Sequence, residues 1–319
     1  MKKQTIPIFI TIDNNYVPYA EIAIRSIKQN SSKDYNYNIH ILHGKLINKN
    51  KEIIKSLEDD NYKIIFREMK EVLESITDRV ENRFKNTFTP EIYFRLFIPE
   101  IFPEYDKGIY IDSDIVVPGD ISELYNKNLG DNLIGACIDK SVQDIPEIMN
   151  YYENAVGIAR DEYVNSGVLL MNLKKLREKS FTKHFLNLLN KYHFDTVAPD
   201  QDYLNVICNG KILYLWEEWD AMPTEGGKEI INPKLIHYNL FQKPWCYDNI
   251  GYADYFWKYA KQSKFYDQIL EYKKNYSKEQ IEADKKALEL IVTKGDLIAN
   301  TYEVTFKKIF ESGEHIRIW

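Results

Sequence analysis

Up to residue 208 the chain alternates short apolar runs with helical patterns. Residues 6–12 form an apolar, β-rich run that ends in Asp13-Asn14-Asn15-Tyr16, and from Val17 onward apolar residues recur at helical spacing. Further strands are predicted at residues 38–43, 62–66, 107–111, 133–138 and 163–171. Further helices are predicted at residues 49–59, from Pro90 onward, and at 172–192 and 200–208. This alternation predicts an α/β protein whose sheet contains parallel strand pairs.

Beyond Tyr252 the pattern changes to long helices. One stripe of apolar residues runs along this part at helical spacing: Ile281, Leu288, Ile291 and Val292. At 319 residues, the chain can hold one large domain with an appendage. The sequence predicts a principal domain at residues 1–250 and a C-terminal helical extension at residues 251–319. Because residues 278–319 carry 7 basic and 8 acidic side chains, we do not expect a polybasic membrane anchor.

Charge and cysteine content restrict the partners and the compartment. The 42 basic and 48 acidic residues give a formal net charge of −6, which offers no general attraction for nucleic acid. Three cysteines lie far apart without a metal-binding spacing, which favours a reducing compartment. The N-terminal apolar stretch breaks at Asp13, too early for a signal peptide or a membrane span. The sequence predicts a cytoplasmic protein with no transmembrane segment; peripheral contact with the inner face of the membrane and the oligomeric state stay open.

Two aspartates follow a buried strand in the middle of the chain. Asp112 and Asp114 flank Ser113 directly after the apolar run 108–111. Two carboxylates at this spacing can bind one Mg²⁺ or Mn²⁺, ions that keep coordination positions open for phosphate oxygens. Short acidic triplets also occur as turns and helix caps, so the motif alone leaves both interpretations open.

Four more motifs accompany this triplet. In chain order they are Asp13-Asn-Asn-Tyr16, Asn165-Ser-Gly-Val-Leu-Leu-Met-Asn172, Asp200-Gln-Asp202 and His237-Tyr-Asn-Leu-Phe-Gln-Lys-Pro-Trp245. Together with Tyr110-Ile-Asp-Ser-Asp114, they resemble the family-8 glycosyltransferases over residues 6–260. These retaining, metal-dependent enzymes include glycogenin and bacterial galactosyl- and glucosyltransferases of surface polysaccharides. The resemblance implies a GT-A fold: a single Rossmann-like mixed sheet flanked by helices, with residues 1–250 as the nucleotide-sugar-binding catalytic domain.

The resemblance also implies a metal site. Asp112 and Asp114 would bind Mn²⁺, or Mg²⁺, together with His237, and Lys243 would contact the phosphates of the donor. Two carboxylates and one imidazole leave room on an octahedral ion for two diphosphate oxygens. The alternative for His237 is a hydrogen-bonded histidine in the core, because it lies in an apolar run.

By the same resemblance, the nucleotide is bound near the N-terminus and after the central strand. The residues implied are Thr11, Asp13, Asn15, Tyr16, Arg95, Asp112, Ser113 and Lys243. A carboxylate at a strand end can accept the uracil N–H, and a tyrosine ring can stack on the base. Asn14 or Asn15 could instead cap the following helix, and Arg95 could be a surface arginine on an amphipathic helix.

The resemblance implies that Asn165, Asp200 and Gln201 surround the donor sugar. Asp200 would bind sugar hydroxyls and Gln201 would lie beneath the anomeric carbon. Pro199 suits the start of a helix, so side chains of the first turn can project toward a ligand; helix capping alone would also explain Asp200. A glutamine amide is a poor nucleophile, which argues against a covalent intermediate on Gln201.

The sequence thus predicts a UDP-galactose- or UDP-glucose-dependent retaining hexosyltransferase acting on a glycan, lipid-linked or glycoprotein acceptor. A sugar nucleotidyltransferase and a noncatalytic partner subunit are the alternatives. The family usually carries glycine in the stretch after the histidine, whereas this chain has Leu240 and Phe241, which puts the phosphate contact of Lys243 in question. Residues 74–89 are predicted to form a lid over the donor.

Overall fold

The central element is a mixed sheet in a computed structural model that describes residues 3–72, 74, 90–223 and 229–319. The strands are β1 Thr5–Thr11, β2 Asn36–His43, β3 Tyr62–Glu68, β4 Gly108–Ile111, β5 Ile115–Val116, β6 Ile134–Ala136, β7 Val168–Met171, β8 Ile212–Tyr214 and β9 Ile236–His237. Seven of them form one sheet in the order β3-β2-β1-β4-β7-β6-β8. Except for Glu74, the predicted lid lies outside the described residues.

The pairing of β4 with β7 sets the positions of the segments that follow β4 and precede β7. The pairs β1–β2, β2–β3, β1–β4 and β6–β8 are parallel, as the alternation predicts. β7 instead runs antiparallel to both β4 and β6, so the sheet is mixed. Ile111 pairs with Val168, and the backbone N–H of Asp112 donates to the carbonyl of Gly167 at 2.8 Å. The residues after β4 therefore face those before β7.

A second, two-stranded sheet connects the middle of the chain with a distant segment. β5 and β9 are antiparallel, with Ile115 opposite His237 and Val116 opposite Ile236. The backbone N–H of Tyr238 donates to the carbonyl of Asp114 at 3.0 Å. This short pairing brings the histidine next to the acidic triplet, although more than a hundred residues separate them in the chain.

Helices cover the sheet and make up the C-terminal part. The α-helices are Val17–Asn30, Asn48–Lys55, Ile98–Ile101, Ile121–Tyr125, Pro146–Tyr151, Leu173–Glu178, Phe181–Tyr192, Pro199–Cys208, Ala253–Ala260, Tyr266–Lys274, Lys278–Thr301 and Phe306–Glu311. The helix predicted at 172–192 is interrupted at Ser180, whose φ is +54°. The segment after Pro90 is a 3₁₀ helix up to Phe97 rather than an α-helix. None of the described helices is both long and apolar enough to cross a membrane.

Two hydrophobic clusters lie on the two faces of the sheet, because successive side chains of a strand point to opposite faces. In β1, Ile8 and Ile10 belong to one cluster and Phe9 to the other. The C-terminal helices contribute to both clusters, with Phe256 in the first and Ile298 in the second. The mixed α/β fold with a C-terminal helical segment is thus confirmed, while the domain boundary at residue 250 stays a prediction.

Candidate active site

Three side chains from distant parts of the sequence converge at the end of β4. Ligand atoms of Asp112, Asp114 and His237 all lie within 4.8 Å of one another. His237 Nε2 is 3.8 Å from Asp112 Oδ2 and 3.5 Å from Asp114 Oδ1. Two carboxylates and an imidazole suit a divalent cation such as Mn²⁺ or Mg²⁺. The structure thus brings together the three residues predicted to form a metal site.

The second oxygen of each carboxylate is held by a basic side chain. Asp112 Oδ1 accepts a hydrogen bond from Arg95 at 2.9 Å, and Asp114 Oδ2 forms an ion pair with Lys243. Burial raises the pKa of Asp114, but Lys243 and His237 outweigh burial and hold this pKa below its ordinary value. Each carboxylate therefore keeps its other oxygen near the imidazole, which fits a shared cation.

A buried carboxylate fixes the imidazole of His237. Asp220 Oδ1 lies 3.0 Å from His237 Nδ1. Because Nδ1 is held in this way, Nε2 is left for Asp112 and Asp114. Burial lowers the pKa of His237, but Asp220 and Asp114 outweigh burial and raise it to about 10. A metal-binding imidazole is neutral, so we expect cation binding at neutral pH to release this proton.

Replacing Asp220 with asparagine is expected to weaken Mn²⁺ binding about ten- to hundredfold, because the partner behind a ligand histidine sets its orientation and basicity. Isothermal titration calorimetry with Mn²⁺ measures the change. Asp202→Asn is the matched control, since this carboxylate is also buried but contacts Tyr151 and Tyr163, at 2.7 and 2.6 Å. An unchanged Mn²⁺ affinity in Asp220→Asn would contradict the orienting role.

Gly167 allows the side chains of the candidate metal site to lie against the start of β7. A Cβ atom here would lie 2.3 Å from His237 Cε1 and 2.8 Å from Asp112 Oδ2. We expect Gly167→Ala to displace both side chains, to lower the free energy of unfolding by about 1–3 kcal/mol and to weaken Mn²⁺ binding. Urea unfolding and Mn²⁺ titration measure the two effects. Gly251→Ala is the control, since its new Cβ would meet no atom closer than 3.4 Å. Equal unfolding free energies and equal Mn²⁺ affinities in the two variants would show that Gly167 is not needed to avoid a clash.

Arg95 connects Asp112 of the candidate metal site to the next group of predicted residues. Its Nε lies 3.0 Å from Asp200 Oδ2, and its Nη2 donates to Asp112. Its Nη1 donates to the carbonyl and hydroxyl oxygens of Ser166, and the guanidinium lies 4.5 Å from the ring centre of Tyr110. Burial raises the pKa of Asp200, and Arg95 offsets this only in part. Arg95 is buried, so the surface alternative is wrong; its contact with a sugar or phosphate stays a prediction.

The three residues predicted to surround the donor sugar line one small cavity, named cavity B. It has a volume of about 190 Å³. Its polar wall includes the following residues: Asn165, Asp200, Gln201, Asp139, Arg95 and Asp112. Its apolar wall includes Ile148, Val197 and, from the long C-terminal helix, Ile291. The structure therefore places Asn165, Asp200 and Gln201 together, beside the candidate metal site.

Hydrogen bonds fix the side chains in cavity B. Gln201 Oε1 accepts from the backbone N–H of Ser166 at 2.9 Å, and Gln201 Nε2 donates to Asp139 Oδ2 at 2.8 Å. Asn165 donates to the same Asp139 oxygen at 3.2 Å. Ser166 Oγ donates to Asp200 Oδ2 at 2.9 Å. The amide of Gln201 is thus held in one orientation, with its plane fixed from both ends.

A larger cavity, named cavity A, adjoins cavity B and has a volume of about 520 Å³. Seven of the residues predicted to bind the nucleotide line it: Thr11, Asp13, Tyr16, Arg95, Asp112, Ser113 and Lys243. Asn15 lies outside cavity A. Asp13 Oδ1 accepts the backbone N–H groups of Asn15 and Tyr16, both at 2.9 Å. The helix begins after Tyr16 without a side-chain cap, so the capping alternative for Asn14 and Asn15 is wrong.

Leu240 occupies the stretch where the family usually has glycine. Its φ is +50°, in the left-handed region that glycine favours, and it lines both cavities. A non-glycine residue in this conformation costs roughly 1–2 kcal/mol. The loop still brings Lys243 to Asp114, so the missing glycine does not remove this lysine from the site. The contact of Lys243 with phosphate stays a prediction.

Sequence reasoning missed several residues of the site. Asp139 directly follows the predicted strand 133–138, and the same signal singled out Asp112, so it could have been found. Ser166 and Tyr110 lie inside two of the quoted motifs but were given no role, and Asp220 has no such signal. Asp220 lies 17 residues before His237 in the chain, and its contact with His237 Nδ1 depends on the fold.

Comparison with known proteins agrees with this geometry. Residues 7–249 match the family model described as glycosyl transferase family 8. A Haemophilus influenzae relative named as a glycosyltransferase is 30% identical, over 73% of this chain and 68% of its own length. A lipopolysaccharide 1,2-glucosyltransferase of Escherichia coli is 28% identical, over 73% of this chain and 71% of the relative.

Two solved structures share the fold. The galactosyltransferase LgtC, solved with donor and acceptor sugar analogues, superposes with a TM-score of 0.67 and 25% identity, over 81% of this chain and 96% of LgtC. The bifunctional glycosyltransferase WbbM gives a TM-score of 0.75 at 24% identity, over 86% of this chain and 53% of WbbM, which supports the fold alone. With its family-model match over residues 7–249, the chain belongs to glycosyl transferase family 8.

Proposed function

We propose that this protein transfers galactose or glucose from a UDP-sugar to a hydroxyl of a glycan or glycoconjugate, with retention of anomeric configuration. The observation that carries the proposal is the convergence of Asp112, Asp114 and His237 between cavities A and B. This site lies where the donor's diphosphate would connect a nucleotide in cavity A to a sugar in cavity B.

Residues of cavity A bind and orient the nucleotide. Tyr16 stacks on the uracil, and Asp13 and Thr11 hydrogen-bond the base and ribose, because they line the cavity at the end of β1. Asn15 lines a neighbouring cavity that shares Tyr16 and Lys243 with cavity A, so its predicted contact with the nucleotide would be made from that side. Lys243, which pairs with Asp114, supplies a positive charge for the phosphates, and Ser113 lines the same wall.

Residues of cavity B hold the hexose and the reaction centre. Asp200 accepts hydrogen bonds from sugar hydroxyls, while Asn165 and Gln201 lie at the reacting carbon. Asp139 and the backbone of Ser166 fix the Gln201 amide, so its dipole is oriented before the sugar binds. The bond from the anomeric carbon to the phosphate oxygen breaks, the acceptor oxygen bonds to this carbon on the same face, and the acceptor proton passes to the departing phosphate.

A divalent cation, Mn²⁺ or Mg²⁺, held by Asp112, Asp114 and His237 would supply positive charge that stabilises the leaving diphosphate. The three side chains fit such an ion, because each carboxylate keeps one oxygen near His237 Nε2 while another residue holds its second oxygen.

The donor and acceptor are open within this proposal. One relative is named as a glucosyltransferase and one structural neighbour as a galactosyltransferase, so both hexoses are candidates. The acceptor is a glycan, a lipid-linked sugar or a glycoprotein, in surface polysaccharide or glycoprotein glycan synthesis. We place the protein in the cytoplasm or at the inner face of the membrane, and its oligomeric state is not part of the proposal.

A UDP-release assay tests the proposal. UDP-glucose, UDP-galactose and UDP-N-acetylglucosamine are each incubated with the protein and Mn²⁺, with and without excess chelator. We expect turnover of one of the two hexose donors, and loss of at least about 90% of it in chelator, since the charge that stabilises the diphosphate is removed. Full turnover in chelator would contradict the metal assignment.

A second assay, which measures pyrophosphate release from UTP and a sugar 1-phosphate, separates the alternatives. A sugar nucleotidyltransferase would release pyrophosphate from UTP and a sugar 1-phosphate, and a noncatalytic subunit would show neither reaction. Cavity A carries Asp13 and Tyr16 after β1 instead of the glycine-rich, basic phosphate loop that a nucleotidyltransferase would need there, which favours the transferase.

A further inference from the structure

A third cavity, named cavity C, lies between the start of the first helix and the C-terminal helices. Its volume is about 590 Å³, within the range of roughly 300–1,000 Å³ that is typical of ligand sites. It meets cavity A at four residues: Tyr16, Leu240, Phe241 and Lys243. The proposed donor site uses Asn15, Tyr16 and Lys243 at one end of cavity C and leaves the rest of the cavity without a role.

Contacts within the protein hold the walls of cavity C in place. Tyr19 stacks on Trp245 with ring centres 4.0 Å apart. The carboxylate of Asp284, in the long C-terminal helix, accepts hydrogen bonds from Tyr276 at 2.6 Å and from Tyr247. The C-terminal helices are thereby tied to the loop that carries Leu240 and Lys243, so the cavity is preformed.

The lining of cavity C combines aromatic faces with free polar groups. Tyr16 and Tyr272 are 38% and 44% exposed, although both are large aromatic residues. Within the part of the chain that the structure describes, the hydroxyls of Tyr16, Tyr19 and Tyr272 and the amide of Gln268 have no hydrogen-bond partner. A sugar ring offers the complement, since its C–H face packs on an aromatic ring and its hydroxyls pair with amides and phenols.

The charges of cavity C favour a neutral ligand. Lys243 is the one cationic side chain among its described lining residues; it pairs with Asp114, and the proposed donor already uses its charge for the diphosphate. The other charged residue, Asp284, is an acid. A phosphorylated or nucleotide ligand would therefore meet no unpaired cation there, and a buried or half-buried phosphate without one is unfavourable.

We propose that cavity C is a subsite for a neutral sugar unit of the acceptor, distal to the unit that receives the hexose. Leu240 lines cavities A, B and C, so an acceptor of a few sugar units can extend across it from the reaction centre in cavity B. This inference rests on the proposed transferase function and adds the substrate class: a neutral oligosaccharide rather than a single sugar.

Saturation-transfer NMR with lactose and maltotriose, in the presence of UDP and Mn²⁺, tests the subsite. At roughly 10 mM sugar, in the range expected for one stacked ring, we expect at least one of them to bind the wild-type protein. Tyr272→Ala is expected to weaken that binding about tenfold, the equivalent of one lost stacking contact. Tyr272→Phe, which keeps the ring, should retain most of it. Tyr214→Ala is the matched control, because Tyr214 is also 44% exposed but lies at the edge strand β8.

UDP release without acceptor is expected to be the same in Tyr272→Ala and wild type, which separates cavity C from the donor site. Equal sugar binding by wild type and Tyr272→Ala overturns the proposal, as does failure of both neutral sugars to bind. Tighter binding of glucose 6-phosphate than of either neutral sugar overturns it too. If the wild type releases no UDP from any donor but binds sugar in a Tyr272-dependent way, the subsite stands and the transferase function fails.

Discussion

Replacing Asp114 with asparagine is expected to abolish sugar transfer and to keep the fold, although the free energy of unfolding falls because the buried Lys243 loses its carboxylate partner. The substitution removes one of two carboxylate ligands and halves the negative charge that draws a cation to the site, because Asp112 alone remains with His237. A loss of about 4 kcal/mol of transition-state stabilisation, typical of losing an ion's full contribution, corresponds to roughly a thousandfold in rate. UDP release with the preferred donor at saturating Mn²⁺ measures it.

The control for this variant is Asp131→Asn. Asp131 is an exposed carboxylate that pairs with Lys175 at 2.7 Å on the surface, where such a pair contributes about 1 kcal/mol or less. We expect this variant to keep full turnover, and circular dichroism to show the wild-type fold for both proteins. Turnover by Asp114→Asn within a few-fold of wild type would remove the basis for a metal-assisted reaction at this site.

The sequence alone predicted the three residues of the candidate metal site but not how they meet. Asp112 and Asp114 were visible because an apolar strand ends in two acids, and the motif after His237 supplied the third residue. The contact itself depends on β5 and β9, which are only two residues long. Strands of this length are too short for a period-2 pattern, so no reading of the sequence could pair them.

The secondary structure was predictable in segments where the hydrophobic pattern extends over many residues. β1, β2 and β3 were each found within two residues at both ends, whereas the strand predicted at 163–171 begins at Val168. Residues 165–167 are polar or small: the backbone N–H of Ser166 donates to the side chain of Gln201, and the carbonyl of Gly167 accepts from the backbone N–H of Asp112, so both bond to residues of the site. Tertiary contacts thus decide whether these residues extend the strand or line the site, and the local sequence pattern does not contain those contacts.

The orientation of side chains behind the site could not be predicted either. Arg95 was expected to contact the donor, and the structure shows that its guanidinium also holds Asp112 and Asp200. A buried arginine between two acids follows from the packing of the 3₁₀ segment 90–97 against the helix Pro199–Cys208. Nothing in the spacing of residues 95, 112 and 200 indicates that arrangement.

Replacing Arg95 with methionine is expected to lower the free energy of unfolding by about 3–5 kcal/mol, because the buried Asp200 and the partly buried Asp112 lose their common partner. Methionine keeps much of the side-chain volume, so the effect is electrostatic rather than a cavity. Urea unfolding at pH 7 measures it. Arg177→Met is the control: this arginine is half-buried and donates mainly to the backbone carbonyls of Pro99, Phe102 and Tyr105.

The pH dependence identifies the cause of that loss. In the wild type, burial already raises the pKa of Asp200, and Arg95 works against this rise. Without Arg95 the folded-state pKa rises further above the unfolded value of about 3.9, so the folded protein binds more protons than the unfolded chain. Its stability must then fall as pH rises from about 4 toward the folded-state pKa.

The loss of unfolding free energy in Arg95→Met relative to wild type, here called the deficit, is therefore expected to be larger at pH 7 than at pH 5. Adding Asp200→Asn to Arg95→Met should recover part of this deficit, because the amide carries no charge to leave unpaired. A deficit that is independent of pH and unchanged in the double variant would show that Arg95 stabilises the fold by packing alone.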